Sequence, residues 1–314
     1  MQAPKDGQII VIGAVNMDLS GTPAGPLRSG DSNPGRITLS AGGVGRNIAE
    51  NLRRLGRNVS LVTLTGDDHY GRIIREQCRN LGIRMEMSMT EPQCSTSSYL
   101  CINERNGDLH TAVSDMAIYE RLTPARLEPF LPALNSAALV ILDANLPEDT
   151  IAWAARNIRA PLAADPVSAG KVSRLKSCLS RLVLMKPNIP EAEILTGIRV
   201  RSEADWPRAA EALLNSGVRR VYLSLGPRGV YADDGNMRAV LPCHPGMVRN
   251  TTGCGDAFFA AAADAWLEGL DTLEAAQRAL AAAAWCAADE HAVSPTLNKE
   301  ILIKSCERVK EVAP

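Results

Sequence analysis

The sequence predicts an α/β fold, a doubly wound, mostly parallel sheet with helices on both faces and a small β lid. Three observations predict it. Short, largely β-branched runs alternate with helix-forming segments over most of the 314 residues. Strand gives way to helix through glycine-rich turns at 42–45 and 253–255. Polar residues gather where predicted strands end, the edge at which open α/β sheets collect ligands.

The first strand is read at Gln8–Ala14, ending in Gly13, with Asn16 and Asp18 directly after it; an Asx-type turn is the plain alternative for that pair. Residues 21–36 are too rich in Gly, Pro, Ser and Asp to be core, and Arg36–Ser40 alternates like a short exposed strand. Gly42, Gly43 and Gly45 then open a helix whose apolar positions 48, 49, 52 and 55 share a face. These glycines either admit a ligand to the backbone or pack helix on sheet, and Asn47 could offer a donor and an acceptor to a sugar hydroxyl. A strand at 59–65 and a helix at 70–81 follow. Next come two β-type runs, 96–103 and 109–113, joined through Asn106-Gly107, a strong hairpin signal. With 36–40 they suit a small separate sheet, a lid or a dimer patch.

From residue 122 the alternation returns. Helices are expected at 123–134, 147–158, 171–180, 190–196, 202–216, after Asp256, at 273–289 and at 299–311, and strands at 138–143, 161–165, 182–185, 221–224, 230–232 and 238–242. Asn145 and Asp165 lie at strand ends. Asn188 and Glu191 are three apart at a helix start, where they could hold waters of a magnesium ion or simply cap the helix. Ser224, Gly226 and Gly229 form a close-approach turn suited to phosphate or ribose, although a bare hairpin uses the same residues. With neither repeat nor low-complexity linker, residues 1–314 read as one domain, with lid segments at about 19–40 and 93–118.

The stretch around which these elements are arranged is Arg249-Asn-Thr-Thr-Gly-Cys-Gly-Asp256, running into small and apolar residues to Leu267. The first amides of a helix lack internal partners and face outward with the positive end of the dipole, so this turn reads as an anion site. An acid among such amides would repel a resting phosphate. Asp256 makes chemical sense beside a transferred group, where it takes a proton from an attacking hydroxyl while the amides hold developing charge.

Composition narrows the field. A hydrophobic share of 46% supports a large core, and a net charge of -1, from 34 basic and 35 acidic residues well mixed, argues against nucleic-acid or membrane-surface binding. No apolar run reaches the length of a membrane span and Met1–Gly7 lacks a signal-peptide core, so a cytoplasmic location is expected. Eight scattered cysteines and four scattered histidines show neither disulfide-framework nor metal-ligand spacing. Walker A, Rossmann and Gly-x-Ser-x-Gly motifs are also missing.

Five elements in order, Asn16-x-Asp18, Gly42-Gly43 with Asn47, Asn188-x-x-Glu191, Gly226-x-x-Gly229 and Thr251-x-Gly-x-Gly-Asp256, resemble the ribokinase-like (PfkB) family of carbohydrate and nucleoside kinases over nearly the whole chain. Longer words, Asp31–Gly35, Gly42–Ala49, Thr96–Tyr99 and Asp165–Ser168, look most like its bacterial pseudouridine-phosphorylating branch. The resemblance implies transfer of the γ-phosphate of ATP, with Mg2+ and in some members a monovalent cation such as K+, to the 5'-hydroxyl of pseudouridine. It implies Asp256 as general base and the amides of Gly253, Cys254 and Gly255 as the anion hole. Asn16, Asp18, Gly42, Gly43, Asn47, Asn145 and Ser98 would bind the substrate, with Ser32 and Asn33 also reaching towards the base. Asn188, Ser224, Gly226 and Gly229 would bind the nucleotide, and Glu191 with Asn188 the metal. A homodimer through the lid is the implied assembly. Asn250 departs from the family's usual Asp, which weakens the case for a monovalent-cation site, and Cys254 replaces its usual Ala. Two other readings stay open: a kinase of another nucleoside or free sugar such as ribose or a ketose, and a non-catalytic nucleotide- or sugar-binding regulator.

Overall fold

The computed structural model describes residues 7–105, 108–244 and 246–312. Its strands and helices run β1 (Ile9–Ile12), β2 (Asn16–Pro23), β3 (Gly35–Gly42), α1 (Val44–Arg54), β4 (Val59–Val62), β5 (Leu64–Gly66), α2 (His69–Asn80), β6 (Met89–Glu91), β7 (Ser98–Asn103), β8 (Leu109–Asp115), α3 (Pro124–Leu127), α4 (Leu131–Ser136), β9 (Leu139–Asp143), α5 (Glu148–Asn157), β10 (Leu162–Asp165), β11 (Leu182–Met185), α6 (Ile189–Thr196), α7 (Trp206–Asn215), β12 (Val221–Ser224), β13 (Val230–Asp233), β14 (Arg238–Leu241), α8 (Cys254–Glu268), α9 (Thr272–Ala287) and α10 (Lys299–Val312).

Eight strands form the main sheet in the order β14-β13-β12-β11-β10-β9-β1-β4. Pairing is parallel from β4 through β12, and β13 and β14 add an antiparallel edge. Strand alternation divides the core into two layers. Ile9, Val11, Leu139 and Ile141 pack on one side with α1, α8 and α9, while Ile10, Ile12, Val140 and Leu142 pack on the other with α5, α6 and α7. This two-sided burial explains why the strands read as unbroken apolar runs; each such side chain contributes roughly 1.5–3 kcal/mol. No helix among the described residues is long and apolar enough to cross a membrane.

Several expected elements change form. The 59–65 run is two strands, of which β5 leaves the main sheet to pair with β6, a strand that the sequence reading missed. Asn16 and Asp18 do not form a turn; they begin β2, which was likewise not foreseen. The 123–134 helix is broken into short pieces, because Pro129 and Pro132 lack the amide protons a continuous helix requires. Residues 172–181 wind as a 3-10 helix.

Beside the main sheet stands a four-stranded sheet, β3-β2-β7-β8. The hairpin expected between β7 and β8 has its arms antiparallel, with the Glu104 amide bonded to the Asp108 carbonyl at 2.7 Å; its Asn106-Gly107 tip lies outside the described residues. In register, Ser40, Asp18, Tyr99 and Ser114 share one face, and Leu39, Leu19, Leu100 and Val113 line the other.

Candidate active site

The site begins where α8 begins. Gly253 sits at φ 81°, and a side chain there would strike the Ala292 carbonyl, so only glycine lets the loop turn into the helix. Since no side chain caps this end, the first amides of α8 lack intrahelical acceptors. That of Cys254 makes a long 3.3 Å bond back to the Thr251 carbonyl. Asp256, in the first turn, accepts a 2.8 Å hydrogen bond from Asn47 Nδ2, joining positions 209 residues apart.

The glycine run of 42–45 splits between both meanings considered for it. Gly43, at φ 98°, and Gly45 lie against the backbone of residues 13–15, with 2.7 Å between a Cβ built on Gly45 and the Gly13 carbonyl carbon, so these two pack helix against sheet. Gly42 instead leaves room for the Asp18 carboxylate. Asn16 Nδ2 donates to Asp18, and burial pushes Asp18 up to about 6 against the opposing pull of Asn16 and Arg46. Arg46 donates to Asn47 Oδ1 at 3.0 Å and to Glu50 at 2.6 Å, so residues 16, 18, 46, 47 and 256 form one connected polar wall.

The second wall consists of buried carboxylates at the ends of β9 and β10. Asp143 accepts from the amides of Ala14 at 2.7 Å and Asn145 at 2.9 Å, and Asp165 accepts from Val167 at 2.8 Å, where the chain takes a left-handed φ of 64° that is costly for a β-branched residue. Lys186 closes the wall at the end of β11. A Cβ built on Gly255 would lie 3.3 Å from its Nζ, and its charge acts on Asp165, Asp256 and Glu191. Asp256 is pushed up to about 8, first by burial and then by the charge of Asp165, with Asn47 and Lys186 pulling the other way. The residue as a whole is half-buried, so its environment joins a dry carboxyl to an open approach.

Asn188 and Glu191 do form the capping box. The Glu191 amide donates to Asn188 Oδ1 at 2.9 Å and the Asn188 amide to Glu191 Oε2 at 2.8 Å. One oxygen of Glu191 remains beyond this pair, and burial raises its pKa despite Lys186. Ser224 adjoins them, its amide bonded to the Pro187 carbonyl at 2.8 Å, and the Gly226–Gly229 turn follows. Asn145 receives a 2.5 Å bond from Lys171 Nζ.

Two groups of expected residues are not brought beside Asp18. Ser98 pairs with Met17 and so lies on the face opposite Asp18; with a period of two, it is Tyr99 that shares the Asp18 face, and burial raises its phenol, with a smaller contribution from the Asp18 charge. Asn33 spends its amide on its own loop, with bonds to the Arg28 amide and to the Arg28 and Asp31 carbonyls, and Ser32 lies exposed beside it. Lys186, Arg46, Asp143 and Tyr99 were not among the site residues expected from the sequence. Position at a strand's carboxyl end was the available signal for Asp143 and Lys186.

Comparison with known proteins gives the family and the fold. The family description "pfkB family carbohydrate kinase" matches residues 6–299. The chain is 33% identical to a pseudouridine kinase of Escherichia coli (strain K12) over 293 residues, 92% of this chain and 93% of that protein. It is 29% identical to a ribokinase of Bacillus subtilis (strain 168) over 86% of this chain and 89% of that one. The solved Arabidopsis thaliana ribokinase, complexed with ribose and ATP, superimposes with a TM-score of 0.86 over 98% of this chain and 99% of its own; at 22% identity it shows the fold. With its fold and most of its length matched, the chain belongs to the pfkB family of carbohydrate kinases.

Proposed function

We propose that the protein transfers the γ-phosphate of ATP to the 5'-hydroxyl of pseudouridine, giving pseudouridine 5'-phosphate. The observation that carries the chemistry is the Asn47–Asp256 hydrogen bond at the uncapped start of α8, which puts a proton acceptor beside amides able to hold an anion. Asp256 takes the hydroxyl proton as the oxygen attacks phosphorus, and Asn47 orients it. The Gly253, Cys254 and Gly255 amides, with Lys186, hold the charge that develops on the phosphoryl oxygens. Asn16, Asp18 and the open backbone at Gly42 and Gly43 hold ribose hydroxyls, with Asn145 at the far side, while Ser224, Gly226, Gly229 and Asn188 line the nucleotide.

Kinases of this family use ATP with magnesium, and the carboxylates fit such an ion: Glu191 is 4% and Asp165 5% exposed, and burial raises both. Glu191 and Asn188 would hold it, chiefly through water. When bound, magnesium supplies positive charge to the phosphates. No monovalent-cation role follows for the loop before α8, because Asn250 is neutral and its amide is spent on Thr252 at 2.9 Å and Glu290 at 3.2 Å.

The substrate reading is tested by ATP turnover with pseudouridine, uridine, adenosine, ribose and fructose. Pseudouridine should lead in kcat/KM by at least about tenfold, the worth of one well-placed contact. A lead by ribose or a ketose gives the site to a free sugar, and absence of turnover with all five favours a regulator.

The four-stranded sheet is proposed as a lid on a single kinase domain, excluding water as a competing acceptor, and as a dimer interface. Its outer face exposes Ile37 (70%), Leu39 (54%), Leu100 (46%) and Val113 (66%) in adjoining rows, a patch that a second copy would cover. Ile37→Asp with Val113→Asp should turn a dimer into a monomer in sedimentation; a monomeric parent protein removes this assembly.

A further inference from the structure

Cys254 and Cys286 are one structural unit. Cys254 opens α8, with its Sγ 3.7 Å from the Asn250 carbonyl, while Cys286, in the last turn of α9, points its Sγ at the Thr252 carbonyl (3.5 Å) and the Ala292 carbonyl (3.3 Å). Ala292 is also the residue against which Gly253 turns, and both sulfurs border the turn that leads into α8, Cys254 at Asn250 and Cys286 at Thr252. The segments are further tied by the Arg249 amide, bonded to the Ala287 carbonyl at 2.7 Å. Each thiol shifts the titration of the other, Cys254 downwards and Cys286 upwards. They also differ in access: Cys254 is half-buried, and Cys286 is enclosed.

We propose that Cys254 and Cys286 form a reversible disulfide on exposure to a peroxide, and that this modification shuts off the anion hole. The Cys254 thiolate attacks the peroxide O–O bond; a sulfenic acid forms and hydroxide leaves, taking up the proton released by the thiol to give water. The Cys286 sulfur then attacks Cys254 sulfur, the S–O bond breaks and a second water departs. Two thiols are oxidised by two electrons and one peroxide is reduced. The environment suits this division of roles. The neighbouring Cys286 lowers the Cys254 thiol, the helix N-terminus favours its anion, and Cys254 together with burial raises Cys286, which keeps the latter a thiol until the sulfenic acid is beside it. Swinging Cys254 towards α9 displaces the amide it carries. Only this effect on rate rests on the kinase reading; the cross-link does not.

The test treats the full chain with hydrogen peroxide and follows free thiols, peptide masses and ATP-dependent turnover together. A 254–286 cross-linked peptide lighter by two hydrogens is expected, with turnover down by roughly 10²-fold, the effect of losing one anion-hole donor, and restored by dithiothreitol. Cys286→Ala and Cys286→Ser should retain turnover before oxidation, give no cross-link, and lose activity to peroxide without recovery, since Cys254 then proceeds to the sulfinic acid. Thiols that stay free, Cys254 sulfinic acid without a cross-link in the parent protein, or a cross-linked form of full activity overturns the proposal. A cross-link in a protein that phosphorylates nothing upholds the modification and sinks the kinase reading instead.

Discussion

Asp256→Asn should lower kcat by roughly 10²- to 10⁴-fold, the usual loss when a general base is removed, while leaving KM for nucleoside and ATP within about threefold. Asparagine keeps the shape and can still accept the Asn47 hydrogen bond through its amide oxygen. What it lacks is affinity for a proton. Steady-state kinetics check the prediction, and a variant at full speed would remove Asp256 from the reaction.

The same substitution should make the protein more stable at alkaline pH. Burial and Asp165 raise Asp256 from 3.8 to about 8, so the native state holds this proton more tightly than the unfolded chain does. Stability from this group is therefore present below about 4 and is lost as pH rises through about 8. Asparagine abolishes that dependence, and thermal melts of the variant should gain on the parent protein as pH rises from about 4 to about 8. Loss of activity with unchanged or higher Tm distinguishes a catalytic role from a structural one.

The main sheet was legible in the sequence because both its faces are buried. Runs such as Ile9–Ile12 and 139–142 had to be apolar throughout, and the turns between them carry the glycines that close packing demands. In the small sheet, 36–40 and the 96–113 hairpin were legible, but β2 was harder to read. It bears Asp18 and Ser20 on one face and is only partly buried, so it resembles a polar loop, and only pairing with β3 and β7 defines it. Without β2 in register, the sequence could not say which face Ser98 occupies. In the site, motif residues such as Asn47 and Asp256 were visible because their spacing to glycine turns is local. Lys186 has no such signature. Its importance arises from bringing the ends of β10, β11 and α8 together in space, which no window of sequence contains.

Lys186→Met should be almost as damaging as loss of the base. The ammonium lies beside Gly255 and is a positive charge acting on Asp165, Asp256 and Glu191 together. Methionine preserves the apolar stem and removes only the charge. Two consequences follow from one cause. Charge on the transferred phosphoryl group loses a donor, which costs roughly 10²- to 10³-fold in kcat. Asp165 and Asp256 lose the cation that draws them down, so both should protonate at higher pH, and the limb on which kcat/KM rises should move in the alkaline direction. Asp256→Asn, by contrast, leaves no base for such a limb to report. Lys186→Arg retains the charge, but the larger planar fork must fit beside Gly255, so its rate should fall between those of the parent and methionine forms. Measured pH–rate profiles of the three proteins decide the matter. If the methionine form loses rate without moving the limb, Lys186 acts on the phosphates alone; if it loses neither, the buried carboxylates do not depend on this lysine and the second wall of the site has been misread.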